Sequence, residues 1–276
     1  MTTWLITGAS SGLGRALAIA ALERGDRVAG TVRTEAALAQ FEALASDRAK
    51  GFRADMADEG AVRAAVEGAI AAFGGVDVLV NNAGYGLVGA VEEASLAEVR
   101  AQFEVNVMGP IAAIQAVLPH MRARGSGHII NVTSVSGLAA WAGTGIYCGS
   151  KHALEGIGRT LAQEVAPLGI KVTNVEPGGM RTDYAGRSLT VTARKIADYD
   201  ATAHNAERIL GGHAGQEGGD PLKVAAAILR IAGAADAPVQ LLLGADAVHY
   251  ATQARAAFEE EFGRWASLSL STGFES

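Results

Sequence analysis

The chain has one cysteine, six prolines and only 5% aromatic residues in 276. A single thiol, Cys148, rules out an intrachain disulfide and a cysteine-rich metal site, and it fits a reducing compartment, so the expected location is cytoplasmic. The six histidines are scattered, with no pair at ligand spacing, so no metal is expected. Basic residues are in deficit, 23 Lys and Arg against 29 Asp and Glu, for a net charge of −6. Phosphate-backbone binding needs clustered cations, so no nucleic-acid partner is expected. No apolar run approaches the roughly 18 residues of a membrane span, and Met1-Thr2-Thr3-Trp4 enters an apolar stretch without a basic leader, so no membrane association is expected.

What the chain has in quantity is glycine, 35 residues, and a hydrophobic share of 49%. That is enough to bury the core of one large α/β unit, and residues 1–276 are read as a single dinucleotide-binding and catalytic domain. Trp4-Leu5-Ile6 reads as a buried strand that runs into Thr7-Gly8-Ala9-Ser10-Ser11-Gly12-Leu13-Gly14 and then into a helix over 15–24. A strand, a glycine loop and a helix N-terminus make an anion site: small residues admit a phosphate, and unpaired N–H groups with the helix dipole hold it. A second strand over 27–32 ends at Arg33, where an acid would suit a ribose 2′-hydroxyl and an arginine suits a 2′-phosphate. Glu35, close by, blunts that argument. Helices over 35–45 and 59–73 separate further strands over 51–54, closed by Asp55-Met56, and 76–80, closed by Asn81-Asn82-Ala83-Gly84. Strands over 127–133, 170–175 and 239–243 complete a predicted doubly wound parallel sheet, a Rossmann fold of about seven strands with helices on both faces. Gly8, Arg33, Asp55 and Asn82 all fall at carboxyl ends of strands, where such sheets bind ligands.

The second half carries the reactive groups. In Tyr147-Cys148-Gly149-Ser150-Lys151 the tyrosine and lysine lie four apart on one helix face. A phenol titrates near 10, and an adjacent ammonium favours the phenolate and lowers that value toward the range useful for general acid–base work. Ser134 emerges from the strand over 127–133 on the same sheet edge as the glycine loop. Two helices are expected over 96–121, with Asn106 near the start of the second; a buried helical asparagine needs partners and can distort its turn.

These features resemble the short-chain dehydrogenase/reductase family, in its shorter single-domain branch. Thr7-Gly8-x-x-x-Gly12-x-Gly14, Asp55, Asn81-Asn82-Ala83-Gly84, Asn106, Ser134, Tyr147-x-x-x-Lys151 and Pro177-Gly178 stand in family order and spacing over about the first 185 residues. The resemblance implies an enzyme that moves hydride between NADP(H), with NAD as the alternative, and a secondary alcohol or ketone. It makes Asn106, Ser134, Tyr147 and Lys151 the catalytic set. Tyr147 is the acid–base, Lys151 tunes it and holds the nicotinamide ribose, Ser134 donates to the substrate oxygen, and Asn106 anchors a relay water. It places Gly8, Ser10, Ser11, Gly12, Leu13, Gly14, Arg33, Asp55, Met56, Asn82, Ala83, Gly84, Tyr147, Lys151, Pro177, Gly178, Met180 and Thr182 along the cofactor. The family pattern has one glycine after Pro177; Gly179 is a second and implies a looser loop. The resemblance also implies a homo-oligomer, a dimer or tetramer, with the Tyr147 helix a common interface.

Substrate contacts are expected from Ser134, Val135, Trp141, Tyr147 and Tyr184, and the apolar or aromatic residues near the expected site, Tyr85, Leu87, Val135, Trp141, Met180 and Tyr184, point to a hydrophobic small-molecule carbonyl or alcohol. Residues 183–219 break the strand–helix alternation, carry a helical stretch over 192–210 and are bracketed by glycines, as a substrate lid would be. Two other classes share parts of this pattern. Non-catalytic dinucleotide sensors of the same fold lose the tyrosine or lysine, both kept here. Sugar-nucleotide epimerases and dehydratases share Tyr-x-x-x-Lys but add a longer substrate domain than the tail after Thr182 allows.

Overall fold

A computed structural model describes residues 1–182, 188–212 and 215–274. Alternation along β1 (Thr3–Ile6) sets the layers: Trp4 and Ile6 face one side of the sheet, Leu5 the other, and all three have no solvent exposure. The other strands of this sheet are β2 (Arg27–Val32), β3 (Ala49–Arg53), β4 (Val78–Asn81), β6 (Gly127–Val132), β7 (Ile170–Pro177) and β9 (Gln240–Leu243). They join β1 in one parallel sheet of order β3-β2-β1-β4-β6-β7-β9. It is the expected doubly wound sheet. The order reverses between β1 and β4, so their carboxyl ends open a crevice there.

Against the Trp4–Ile6 face pack α1 (Gly12–Glu23), α2 (Glu35–Glu42) and α8 (Pro221–Ala232), through Leu17, Phe41 and Ile228. Against the Leu5 face pack α3 (Glu59–Phe73), α5 (Gly109–Arg124) and α6 (Gly145–Val165), through Val66, Val117, Met121 and Leu161. Side-chain caps start the helices where the sequence supplies them: Asp58 accepts from Ala61 N–H, and Ser95 with Glu98 forms a capping box on α4 (Leu96–Phe103).

Local differences from the expected elements cluster in two places. Between α4 and α5, residues Glu104–Met108 widen into a π turn, so the two expected helices run on as one interrupted rod. In the expected lid, a short strand β8 (Leu189–Val191) pairs in parallel with β5 (Gly86–Val88), a pairing no period-2 run announced in so few residues. A 3₁₀ turn at Ala197–Tyr199 and α7 (Ala203–Gly212) stand where one helix over 192–210 was expected. The last helix is α9 (Ala245–Leu270), and of its residues only Ala247 is buried.

Candidate active site

The glycine loop is tied to the end of β4 by side chains. The Thr7 hydroxyl accepts the N–H groups of Asn82 and Ala83, both at 3.0 Å, and Asn82 Nδ2 returns to Thr7 O at 2.8 Å and Gly8 O at 3.3 Å. Gly8 takes φ +68° and donates its N–H to Thr31 Oγ1 at 3.0 Å. A Cβ on Gly8 would stand 3.0 Å from Ala83 Cα, and one on Gly14 2.5 Å from Gly8 O, so side chains there would close the cradle. Ser10 and Ser11 are exposed at its mouth, and Leu13 is buried beneath it. A Cβ on Gly12 would reach within 3.6 Å of Thr182 Cβ, so the segment after Pro177 passes over the loop. A bare backbone cradle at a helix N-terminus, roofed by one strand exit, fits the diphosphate of a dinucleotide.

Lys151 and Tyr147 meet at the far end of this crevice. Lys151 Nζ lies 5.9 Å from the centre of the Tyr147 ring and donates to Val132 O at 2.9 Å. The lysine is 5% exposed, and burial lowers its pKa from 10.5 to about 8. Gly84 is wedged between partners: a Cβ there would stand 3.1 Å from Asn106 Oδ1 and 3.5 Å from Lys151 Nζ. The π turn delivers Asn106 inward, buried. Its Nδ2 donates to Tyr85 O at 2.9 Å and to Ser150 Oγ at 3.1 Å, and its Oδ1 accepts from Tyr85 N–H at 3.1 Å. Ser150 Oγ in turn donates to Tyr147 O at 2.7 Å, which anchors the first turn of α6. Ser134 is buried at the tip of β6, two residues beyond the carbonyl that holds Lys151, and accepts from Ser136 N–H at 3.0 Å.

The remaining expected residues distribute along the same edge. Arg33 is exposed at the end of β2, with no ion-pair partner among the described residues. Glu35, the acid that blunts its reading, is engaged by Arg53 at 3.2 Å. Asp55 accepts from Ala57 N–H at 3.0 Å, and Met56 is buried. Pro177 ends β7 and Gly178 donates to Leu243 O at 3.0 Å. Met180 pairs as an isolated bridge with Gly219. Val135 is buried, and Trp141, 37% exposed, meets Tyr250 edge-on at 5.3 Å. Tyr184 lies outside the described residues, as do 183, 185–187 and 213–214 of the expected lid.

Residues 2–191 match the model of the short chain dehydrogenase family. The chain belongs to that family. An oxidoreductase of Botryotinia fuckeliana, BOA17, is 39% identical over 270 residues, covering 98% of each chain. A solved short-chain dehydrogenase from Streptomyces avermitilis superposes with a TM-score of 0.92 at 39% identity, covering 99% of this chain and 100% of that one. A short chain dehydrogenase/reductase from Burkholderia phymatum in complex with NAD has a TM-score of 0.77 at 29% identity, over 87% and 88% of the two chains. ElxO with NADP bound has a TM-score of 0.72 at 27% identity, over 87% and 96%. As a short chain dehydrogenase the protein is an oxidoreductase.

Several contributors to the site escaped the sequence reading. Thr31, Gln102 and Ser150 support the site through hydrogen bonds: Thr31 Oγ1 accepts from Gly8 N–H, Ser150 Oγ accepts from Asn106 and donates to Tyr147 O, and Gln102 Oε1 accepts from Leu87 N–H at 2.7 Å while its Nε2 donates to Tyr85 O at 2.8 Å. Thr31 in β2 and Gln102 in α4 carry no local sequence signal; Ser150 alone stands inside a motif, Tyr147-x-x-x-Lys151.

Proposed function

We propose that the chain transfers hydride between NADP(H) and a secondary alcohol or ketone, with Tyr147 as the general acid–base. The observation that carries this reading is the buried ammonium of Lys151, set against the Tyr147 ring and against Gly84 at the inner end of the glycine-loop crevice. A cation in that position has no structural ion-pair partner among the described residues and makes sense beside a phenol that exchanges protons. The nicotinamide, when bound, supplies or accepts the hydride. Around it the protein's own groups act. Gly8, Gly12 and Gly14 admit the diphosphate, and Lys151 holds the ribose hydroxyls and lowers the Tyr147 pKa. Ser134 and Tyr147 donate to the substrate oxygen, where Tyr147 gives up or takes the proton. Asn106 has both side-chain donors occupied by Tyr85 and Ser150, so a relay water would sit on one of its oxygens.

The preference for NADP(H) rests on Arg33, exposed without a partner among the described residues, while Glu35 turns to Arg53. Val135 and the Trp141–Tyr250 pair favour a hydrophobic substrate. Residues 183–219 are assigned to a substrate lid, within a single catalytic unit spanning the chain. A cytoplasmic homo-oligomer completes the reading: α9 leaves Phe258, Phe262 and Trp265 exposed on one side, the kind of stripe another copy would cover. The test is a panel of ketones and alcohols scored by nicotinamide absorbance with NADPH and with NADH. Turnover of hydrophobic ketones, faster with NADPH, is expected; no turnover of any carbonyl or alcohol with either cofactor would sink the proposal.

A further inference from the structure

The Pro177-Gly178-Gly179 turn has a glycine more than the family pattern, and a chain with two consecutive glycines there has little to hold it by itself. The hold comes from elsewhere. Asp246, in the first turn of α9, reaches back to this turn and accepts the Gly179 N–H at Oδ2, 2.7 Å away. A Cβ on Gly178 would run into both oxygens of the same carboxylate, so only glycine leaves room for it. On its other side the carboxylate closes on Gly244, which takes φ +116° and whose own Cβ would stand 2.6 Å from Oδ1. The turn is then passed along: Gly179 O accepts from Gly219 N–H and Gly219 O from Arg181 N–H, both at 2.9 Å, before Thr182 crosses over Gly12. An acid in the first turn of a helix needs no loop to explain it, since the dipole favours one there. What the dipole does not explain is a carboxylate turned onto a strand exit 67 residues earlier in the chain and filling the space a Cβ would need.

We propose that Asp246 is a positioning residue for the nicotinamide end of the cofactor: its carboxylate pins Gly178 and Gly179 and thereby fixes Met180 and Thr182 over the glycine loop. The inference rests on the proposed dinucleotide reading of that crevice. Charged acceptors bind backbone N–H groups about twice as strongly as neutral ones, which is how one side chain replaces the stiffness that a bulkier residue at position 179 would give. The clamp also ties the C-terminal helix to the cofactor site, although α9 otherwise buries only Ala247.

The experiment compares Asp246→Ala and Asp246→Asn with wild type in three readouts: amide exchange at Gly179 in the free protein by NMR, KM and kcat with NADPH, and Tm. Loss of a hydrogen bond to a charged group should speed exchange at Gly179 about ten- to a hundredfold in Asp246→Ala. The cofactor KM should rise about tenfold with kcat within about threefold, and Asp246→Asn, whose neutral amide oxygen still accepts, should recover part of the KM and exchange effects. Should Asp246→Ala not fold, Gly178→Ala drives a methyl into the carboxylate and must give the same exchange signature. Unchanged exchange at Gly179 overturns the proposal, and so does an equal loss in both Asp246 variants with a lowered Tm and faster exchange throughout the sheet. If wild type binds neither NADPH nor NADH, the function proposed above fails, while exchange at Gly179 in the free protein still decides whether the clamp exists.

Discussion

Glu155, one turn beyond Lys151 on α6, and Glu176, the penultimate residue of β7, share one donor: Gln240 Nε2 lies 3.0 Å from Glu155 Oε1 and 2.9 Å from Glu176 Oε1. Both acids are buried, and a row of asparagines, Asn81 to Asn131 to Asn174, runs across the sheet and ends on Glu155. Burial first, and the neighbouring Glu155 carboxyl after it, push Glu176 from 4.5 up to about 7, against the opposing pull of Gln240. The folded protein therefore keeps a proton that the unfolded chain releases near 4.5, so this group's contribution to stability falls as pH rises from about 4.5 to about 7 and is constant above. Glu176→Gln, neutral at every pH, should flatten that decline, read from urea midpoints across the window. A variant with the wild-type slope would place the titrating proton elsewhere.

Tyr147→Phe removes one hydroxyl and leaves the ring against Lys151. Turnover should fall about 10²- to 10⁴-fold, the usual worth of general acid–base catalysis, with cofactor affinity retained. Stopped-assay rates together with a fluorescence titration separate the two effects; undiminished turnover would remove Tyr147 from the chemistry. Lys151→Met should instead weaken cofactor binding. It also has a signature independent of activity: because burial lowers the lysine pKa to about 8 in the fold against 10.5 in the unfolded chain, the unfolded chain binds the extra proton between those values. Wild-type stability should then rise with pH over that window, and the methionine variant should lose the rise.

Arg33→Ala should weaken NADPH binding by about 1.5–3 kcal/mol, the worth of a hydrogen bond to a charged group, and leave NADH binding nearly unchanged. Isothermal titration with both cofactors measures the difference directly. Equal losses would mean that Arg33 does not contact a 2′-phosphate.

One buried acid takes three bonds around the described part of the expected lid. Glu93 accepts from Ala90 N–H at 2.8 Å, Ile196 N–H at 2.6 Å and His204 Nε2 at 2.7 Å, and is itself 1% exposed. Burial pushes its carboxyl up, but the bonds from His204, Ile196 and Ala90 outweigh that and hold it at about 2. Glu93→Gln keeps the shape and loses the charge. Amide exchange over residues 196–212 should quicken in the variant, and in wild type should slow when cofactor and substrate bind together. Exchange already slow in the free protein and insensitive to ligands would describe a fixed wall.

The sheet was legible because its signals are local. Buried parallel strands such as Val76-Asp77-Val78-Leu79-Val80 are short apolar runs, and helices such as Glu59–Phe73 carry their own period and cap, so each element announces itself within a few residues. The candidate site was legible for the same reason: Thr7-Gly8, Asn81-Asn82 and Tyr147-x-x-x-Lys151 are compact motifs, each at a strand end or on one helix face.

What the chain text alone did not contain were pairings over long separations. Nothing near Asp246 names Gly178, nothing near Glu93 names His204, and the three-residue strands β5 and β8 acquire meaning only when laid side by side. A hydrogen bond between residues about 70 to 110 apart depends on how the crossovers bring two loops to one edge, and short-range periodicity carries no term for that. Sequence alone therefore determined the sheet, its carboxyl edge and which residues stand as candidates for the chemistry. Only the tertiary structure decided that Lys151 is stripped of water, that Glu35 pairs with Arg53, and that the glycine turn over the site is held down by the first turn of the last helix, because desolvation and charge pairing depend on what the fold packs around a side chain.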